Sequence, residues 1–495
     1  MAAGHPLTAE AGARILREGG NAVDAAIAAV LTSFVTESPL TGFGAGGFML
    51  VHDPRLPGGE REVLVDFFVA AGGLDGAERG SELVPIPVDF GGTVQVFNVG
   101  AASCGVPGTA AGLEHVARRF GSIPISDLIA DGVRLGREGV PLTTGQAYFH
   151  QILGPILTST PEGAALYAPE GRELREGERF RFPDAADALE RFAADGAEPF
   201  YGGEVGARVA AWVRERGGTL GRDDLAAYEP IEREPAHASF RDAEVHTNPP
   251  PSSGGILIAY ALAVLERLGD RSGVEQIVAA TRAANARRTE EFAEGLHDPA
   301  YVAGFFEDGG SGLGSTTHLA VLDADGTCAS VTCSNGTGSG LVVPGTGVHV
   351  NNMLGEEDLN PGGFHRIPPG RRVSSMMAPT VALRDGEVIL GLGSAGSNRI
   401  RSAILDVTVR VLEQGMDAAE AVRSPRVHFE AGAVQAEPGV AEEGLAALEA
   451  EGIQVVRWTE QNLFFGGVQA VTRDPDTGEL SGGGDPRRGG AVVLA

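Results

Sequence analysis

Gly314-Ser-Thr-Thr-His-Leu-Ala-Val-Leu-Asp-Ala-Asp-Gly-Thr-Cys-Ala-Ser-Val-Thr332 is the stretch on which the reading of this chain turns. His318–Asp323 and Thr327–Thr332 are apolar-rich runs with strand character, and Asp325-Gly326 between them is a hairpin-type turn. A hairpin centred near Asp325 pairs positions whose numbers sum to roughly 649–651, so Thr316 is expected to face Cys333, Ser334 or Asn335. That register sets a second hydroxyl and an amide beside the first. Taken alone, Ser315-Thr-Thr317 at a strand entry is ordinary turn chemistry, and a Thr facing a Ser is an ordinary cross-strand pair. A chemical role for Thr316 needs further support.

Upstream of this hairpin, Ala300–Gly314 is rich in Gly and acidic residues, the composition of a flexible loop. Downstream, strands are expected at Gly347–Asn351, Pro379–Leu383 and Val388–Leu392. A helix is expected over Arg399–Gln414, followed by strands at Gln454–Trp458 and Val468–Thr472. Near the start, Thr8–Leu16 reads as a helix stopped by Gly19-Gly20, and Asn21 as the cap of an Ala-rich helix over Ala22–Ser33. From Pro107 to about Arg282 the pattern is mainly helical, with amphipathic stretches at Ala110–Phe120, Ile125–Leu135 and Ala207–Arg216. Pro249-Pro-Pro-Ser-Ser-Gly-Gly255 is a rigid turn into an apolar helix over Ile256–Leu268.

Gly42-Phe-Gly-Ala-Gly-Gly47 satisfies the GxGxxG spacing of dinucleotide sites. Such sites need a strand before the glycines and a helix after them. Here the glycines run into Phe48-Met-Leu-Val-His52, a strand pattern, which rejects that reading in favour of close backbone approach.

The 495 residues have room for two to four average domains, and length alone does not separate that from one large layered body. An apolar share of 43% is enough for a sizeable core. The net charge of −28, with all 38 basic residues Arg, gives an acidic surface that repels nucleic acid and anionic lipid. Cys104, Cys328 and Cys333 have neither disulfide-framework nor metal spacing, and His318 has no paired ligand spacing around it, so no metal is expected. Neither a secretory signal nor a membrane-length apolar run is visible, and the expectation is a soluble cytoplasmic protein.

Thr316-Thr-His318, Asp323-Ala-Asp-Gly326 and Val331-Thr332 resemble the start of the small subunit of γ-glutamyltransferases. The resemblance runs in family order along nearly the whole chain. Gly19-Gly-Asn-Ala-Val-Asp-Ala-Ala26, Gly46-Gly-Phe-Met49, Gly105-Val-Pro-Gly108 and Pro250-Pro-Ser-Ser-Gly-Gly255 look like large-subunit motifs. Asn351-Asn352, Ser374-Ser-Met376, Gly393–Ile400, Ser424-Pro-Arg426 and Asp485-Pro-Arg-Arg-Gly489 look like small-subunit motifs.

The resemblance implies an α+β layered fold, the four-layer αββα sandwich of N-terminal-nucleophile hydrolases, built from both parts of one self-cleaving chain. It implies scission between Ser315 and Thr316, giving a large piece of residues 1–315 and a small piece of 495 − 315 = 180 residues that stay associated. The freed α-amine, with an ordinary pKa of about 8, is the base that a weak hydroxyl nucleophile needs. By position, Ser334 stands for the hydroxyl that contacts the nucleophile, and Gly396 and Ser397 for the two residues whose N–H groups form the oxyanion hole. Asn335 stands for a substrate-binding asparagine, and Ser374 and Ser375 for the pair that binds the substrate α-carboxylate. No metal or organic cofactor is implied. The implied partner is a small-molecule amide or γ-glutamyl-like substrate, with no nucleic acid and no membrane, and a homo-oligomer is compatible.

Departures fall on substrate recognition. Phe68 stands where the family has an arginine that grips the glutamyl carboxylate, a contact worth about 1.5–3 kcal/mol. Met353 stands at a Gln or Glu position and Glu356 at an Asp position, both in the amino-group subsite. The expectation is hydrolysis of an amide whose acyl part is not simply glutamyl. The rivals are conventional glutathione hydrolysis or transpeptidation, carbon–carbon or acyl hydrolysis in a natural-product pathway, a non-catalytic relative, and Ser315 or Thr317 as the true nucleophile.

Overall fold

The computed structural model describes residues 1–495 except 57–60, 78–81, 90–93, 270, 299–300, 302–308, 311–315 and 361. Two antiparallel sheets pack face to face between two layers of helices. The first sheet has seven strands in the order Ala491–Val492, Ala2–Ala3, Thr317–Leu322, Cys328–Ser334, Gly46–His52, Glu62–Phe67 and Ile231–Arg233. The second has six, in the order Leu480–Gly484, Gly467–Arg473, Glu387–Ala395, Thr380–Arg384, Ala243–Thr247 and Ala236–Phe240. This is the αββα arrangement that the family resemblance implies.

The alternation of side chains along each strand explains why these runs are apolar throughout. In Gly46–His52, Phe48 and Leu50 join the core between the sheets with Leu64, Ala320, Val381 and Val471. Met49 and Val51 point the other way, into the core beneath the first helical layer with Val65, Val321 and Val331. A strand covered on both faces has no place for a polar stripe. The helices Pro6–Arg17 and Ala22–Thr36 cover that outer face. All fifteen residues of Ala22–Thr36 are buried, which is why it is built mainly of Ala and small β-branched residues. Its start is set as expected: Asn21 accepts from the N–H groups of Val23 and Asp24, and Asp24 accepts from that of Asn21. Ser253–Leu268 and Arg399–Leu412 cover the second sheet.

The central hairpin forms in the expected register. Thr317 pairs with Cys333 and Leu322 with Cys328, a sum of 650 at every pair. Cys104, Cys328 and Cys333 are buried and free.

Two readings of the middle segment need correction. Ile125–Leu135 is not one helix: it is broken at Ile129 into Ile125–Leu128 and Ala130–Glu138. The stretch read as mainly helical also contains the strands Ile231–Arg233, Ala236–Phe240 and Ala243–Thr247. Ile231–Arg233 and Ala236–Phe240 are edge strands and Ala243–Thr247 is the strand next to an edge. Together they are rich in Ala, Glu and His, and their conformation is set by pairing, with Glu62–Phe67, with each other and with Thr380–Arg384, and not by local propensity. Most of the Ala300–Gly314 loop lies outside the described residues. Its Gly309–Gly310 pairs with Arg287–Arg288.

Candidate active site

Thr316 lies one residue before the first ladder pair of its strand and is buried, 2% exposed. Extending the register by one residue sets it opposite Ser334. Strand alternation turns Thr316 and His318 toward the second sheet and Thr317 toward the helices. Burial pushes the His318 imidazole down to about 3, so it is neutral. Its Nδ1 is 2.8 Å from Thr332 Oγ1, and a Cβ added to Gly393 would lie 2.4 Å from its Cε1. It is a packed core histidine.

Thr316 shares one narrow cavity with Phe68, Met353, Glu356, Leu359, Ser375, Met376, Met377 and Ile400. The cavity volume is about 10 Å3, space for roughly one water. Five residues singled out in the sequence thus meet there, coming from positions 68, 316, 353, 356 and 375. Leu359, Met376, Met377 and Ile400 were not singled out as lining; the two Met follow Ser374-Ser375 directly, and that adjacency was their only signal.

Phe68 is fixed from three sides. Its ring stacks on Phe48 with centroids 5.2 Å apart, its N–H donates to Asp66 Oδ1 at 2.9 Å, and its carbonyl accepts from the Tyr228 hydroxyl at 2.7 Å. Two arginines beside Asp66 serve other partners. Arg233 reaches Asp66 Oδ2 at 2.8 Å, while Arg372 lies 3.4 Å from Asp66 Oδ1 with its guanidinium over the Tyr228 ring. Among the described lining residues, Glu356 is the one acidic side chain and none is basic.

Burial, together with the neighbouring Asp358 carboxylate, pushes Glu356 up to about 8. Asn352 Nδ2 donates to it at 3.1 Å. At neutral pH this carboxyl is mostly protonated and so offers little charge to an ammonium.

Ser375 is positioned by the Pro250–Gly255 motif. Its carbonyl accepts from the N–H groups of Ser253 (2.9 Å) and Gly254 (3.0 Å) and from Ser252 Oγ (2.8 Å), at the start of the Ser253–Leu268 helix. The Ser375 hydroxyl accepts from Met377 N–H at 3.0 Å. The glycine run Gly42–Gly47 holds a close approach, as read: a Cβ on Gly44 would lie 2.0 Å from His349 O. Asn351 ties this run to the Gly105 motif, its Nδ2 donating to Gly44 O (2.8 Å) and Gly105 O (3.0 Å).

The remaining expected residues do not line the cavity. Ser334 Oγ accepts from Gly336 N–H at 2.8 Å. Asn335 is fully buried, and neither its Oδ1 nor its Nδ2 has a hydrogen-bond partner among the described residues. An unpaired buried amide is costly unless a ligand completes it. Ser374 is 9% exposed. Gly396 (φ +122°) and Ser397 (φ +70°) form the turn that launches the Arg399–Leu412 helix, whose Ile400 lines the cavity. Ser397 therefore adopts a left-handed backbone that ordinarily belongs to glycine. Ser315 lies outside the described residues.

The sequence matches the family model described as gamma-glutamyltranspeptidase over residues 8–308 and 307–495. It is 33% identical over 521 residues to the acylase ACY 1 proenzyme of a Pseudomonas species, covering 99% of this chain and 92% of that protein. It is 29% identical to the glutathione hydrolase proenzyme of Escherichia coli, covering 97% of this chain and 88% of that one. Among solved structures, a cephalosporin acylase from Bacillus halodurans superposes with a TM-score of 0.85 at 27% identity, over 99% of this chain and 95% of that one.

Proposed function

The chain belongs to the gamma-glutamyltranspeptidase family, an enzyme family whose relatives include hydrolases, acylases and transpeptidases made as proenzymes, and from that premise we propose an autoprocessing N-terminal threonine hydrolase that cleaves a non-glutamyl amide. The observation that carries this reading is the meeting of Thr316, Phe68, Met353, Glu356 and Ser375 at one cavity.

Scission of the Ser315–Thr316 bond frees the Thr316 amine. That amine takes the proton of the Thr316 hydroxyl, whose oxygen attacks the amide carbonyl. The N–H groups of Gly396 and Ser397 receive the developing oxyanion, and one such donor is worth about 2.7–4 kcal/mol of barrier. The amine returns the proton to the leaving nitrogen, and water then hydrolyses the acyl-enzyme. Ser334 supports the nucleophile through its hydroxyl, while Asn335, Ser374 and Ser375 bind the substrate. The pieces 1–315 and 316–495 stay together because each sheet contains strands of both: Cys328–Ser334 of the small piece lies directly against Gly46–His52 of the large one, and Thr380–Arg384 against Ala243–Thr247.

The acyl pocket is apolar. Phe68 stands where a glutamate clamp needs a cation, and Met353, Leu359, Met376, Met377 and Ile400 supply the rest of the apolar lining, beside Thr316, Ser375 and Glu356. Glu356 is largely neutral at pH 7. The likeness to proteins named acylases supports an acylase over a glutathione hydrolase. Intact-mass analysis and N-terminal sequencing test the maturation: two pieces with Thr316 first on the smaller one are expected. Comparing a γ-glutamyl anilide with anilides of apolar acids tests the specificity, and preferential glutamyl turnover would establish the conventional reading instead.

A further inference from the structure

We propose that Glu37 is a positioning residue for Thr316, acting through Thr317 as a tether between the two pieces of the mature enzyme. This rests on the reading of Thr316 as the nucleophile.

A nucleophile at a chain terminus has a mechanical problem. Once the bond before Thr316 is cut, that residue ends a strand, and chain ends fray unless tied down. The ladder does not hold it, because the first pair is Thr317 with Cys333. Whatever fixes Thr317 therefore fixes the direction in which Thr316 projects.

Thr317 turns away from the cavity, and its Oγ1 donates to Glu37 Oε2 at 2.5 Å. Glu37 caps the C-terminal end of Ala22–Thr36 and is only 3% exposed. Its other oxygen is 3.1 Å from Thr8 Oγ1, which is 2.7 Å from Thr36 Oγ1. The carboxyl thus joins two helices of the large piece to the second residue of the small one. Space for it is reserved: a Cβ on Gly4 would stand 2.4 Å from Glu37 Oε2.

The turn that follows reaches the other side of the site. Leu40 N–H donates to Glu37 O at 2.8 Å, Leu40 O accepts from Asn335 N–H at 2.8 Å, and Thr41 Oγ1 donates to Cys333 Sγ at 3.2 Å. One short segment, Glu37–Thr41, therefore grips both strands of the hairpin at the end where Thr316 and Ser334 stand. Burial pushes the Glu37 carboxyl up, toward the neutral form, although Thr317 and Thr8 oppose the shift. Both Thr8 and Thr317 donate to this carboxyl; a glutamine amide keeps an oxygen to accept from Thr317, and its NH2 can donate to the Thr8 hydroxyl, which also accepts.

The test compares Glu37→Ala, Glu37→Gln and Thr317→Val, each as the full chain, with Thr316→Ala as control. Cleaved fraction is measured by intact mass, Tm by calorimetry, and kcat and KM on whichever anilide the parent enzyme hydrolyses. Expected are a drop in kcat per cleaved molecule of roughly ten- to a hundredfold for Glu37→Ala and Thr317→Val, KM within about threefold, and recovery of most of the rate in Glu37→Gln. Slowed self-cleavage at a native Tm in the first two variants, again recovered in Glu37→Gln, also supports the tether. Should Glu37→Ala not fold, Thr317→Val, which removes only the hydroxyl, decides. The proposal is overturned if Thr317→Val cleaves and turns over like the parent. Turnover by Thr316→Ala would instead sink the nucleophile reading itself.

Discussion

Gly254 passes so close to Met376 that a Cβ on it would stand 2.1 Å from the Met376 carbonyl oxygen. The contact clamps the start of the Ser253–Leu268 helix, from the proposed large piece, onto the Ser375-Met376 backbone of the small one. Backbone cannot yield as a side-chain tip can. Gly254→Ala is therefore expected to push Ser375 off its position and lower kcat/KM by roughly tenfold or more. Steady-state kinetics on self-cleaved protein of near-parental secondary structure measures this. Unchanged kinetics would dissociate Ser375 from substrate binding.

Thr316→Ala removes both the hydroxyl and its chemistry from the proposed base. The chain is expected to remain one 495-residue species, with turnover reduced by more than about 10⁴-fold. Denaturing electrophoresis and a sensitive amide assay check both outcomes.

Phe68→Arg restores a cation where the cavity lining has none. The ratio of γ-glutamyl to apolar-acyl turnover should rise roughly ten- to a hundredfold, matching about 1.5–3 kcal/mol for a charge-assisted hydrogen bond. An unchanged ratio would show that position 68 does not meet the acyl group.

Ser397 pays backbone strain at φ +70° that glycine avoids. Ser397→Gly removes strain of about 1–2 kcal/mol and adds unfolded-state entropy costing about 0.4–1 kcal/mol, for a net gain between zero and about 1.6 kcal/mol in denaturant unfolding. With the N–H unmoved, kcat should stay within about twofold. Ser397→Val cannot adopt this φ cheaply, and is expected to lose both stability and rate.

Glu356, raised from its ordinary 4.5 to about 8 by burial and by Asp358, makes stability depend on pH. The folded protein holds this proton where the unfolded chain has released it, so the contribution is complete below pH 4.5 and is lost as pH rises toward 8. Glu356→Gln has no such proton to lose. The Tm difference between variant and parent should grow in the variant's favour from pH 5 to pH 8, as thermal scans across that range would register.

Much of this protein is written locally in its sequence. The hairpin register came within one residue because turn chemistry and strand alternation act over a dozen positions. Asn21 announced its helix because a cap bonds to residues two and three further on. The family motifs gave the layered fold, and Phe68 and Met353 stood out as departures before any contact was known. Other features were set by distant partners. Ala236–Phe240 and Ala243–Thr247 became strands only by pairing with each other and with Thr380–Arg384, and Ser397 took a left-handed φ only because the turn into its helix requires it. Phe68, Met353, Glu356, Ser375 and Ile400 meet Thr316 only after two sheets have stacked. Glu37 meets Thr317, 280 residues away in the chain, only once the first helical layer has packed on its sheet. Local rules fix which element a segment forms and which way its residues alternate. The meeting of side chains from different segments depends on how the layers pack, and that is a property of the whole fold.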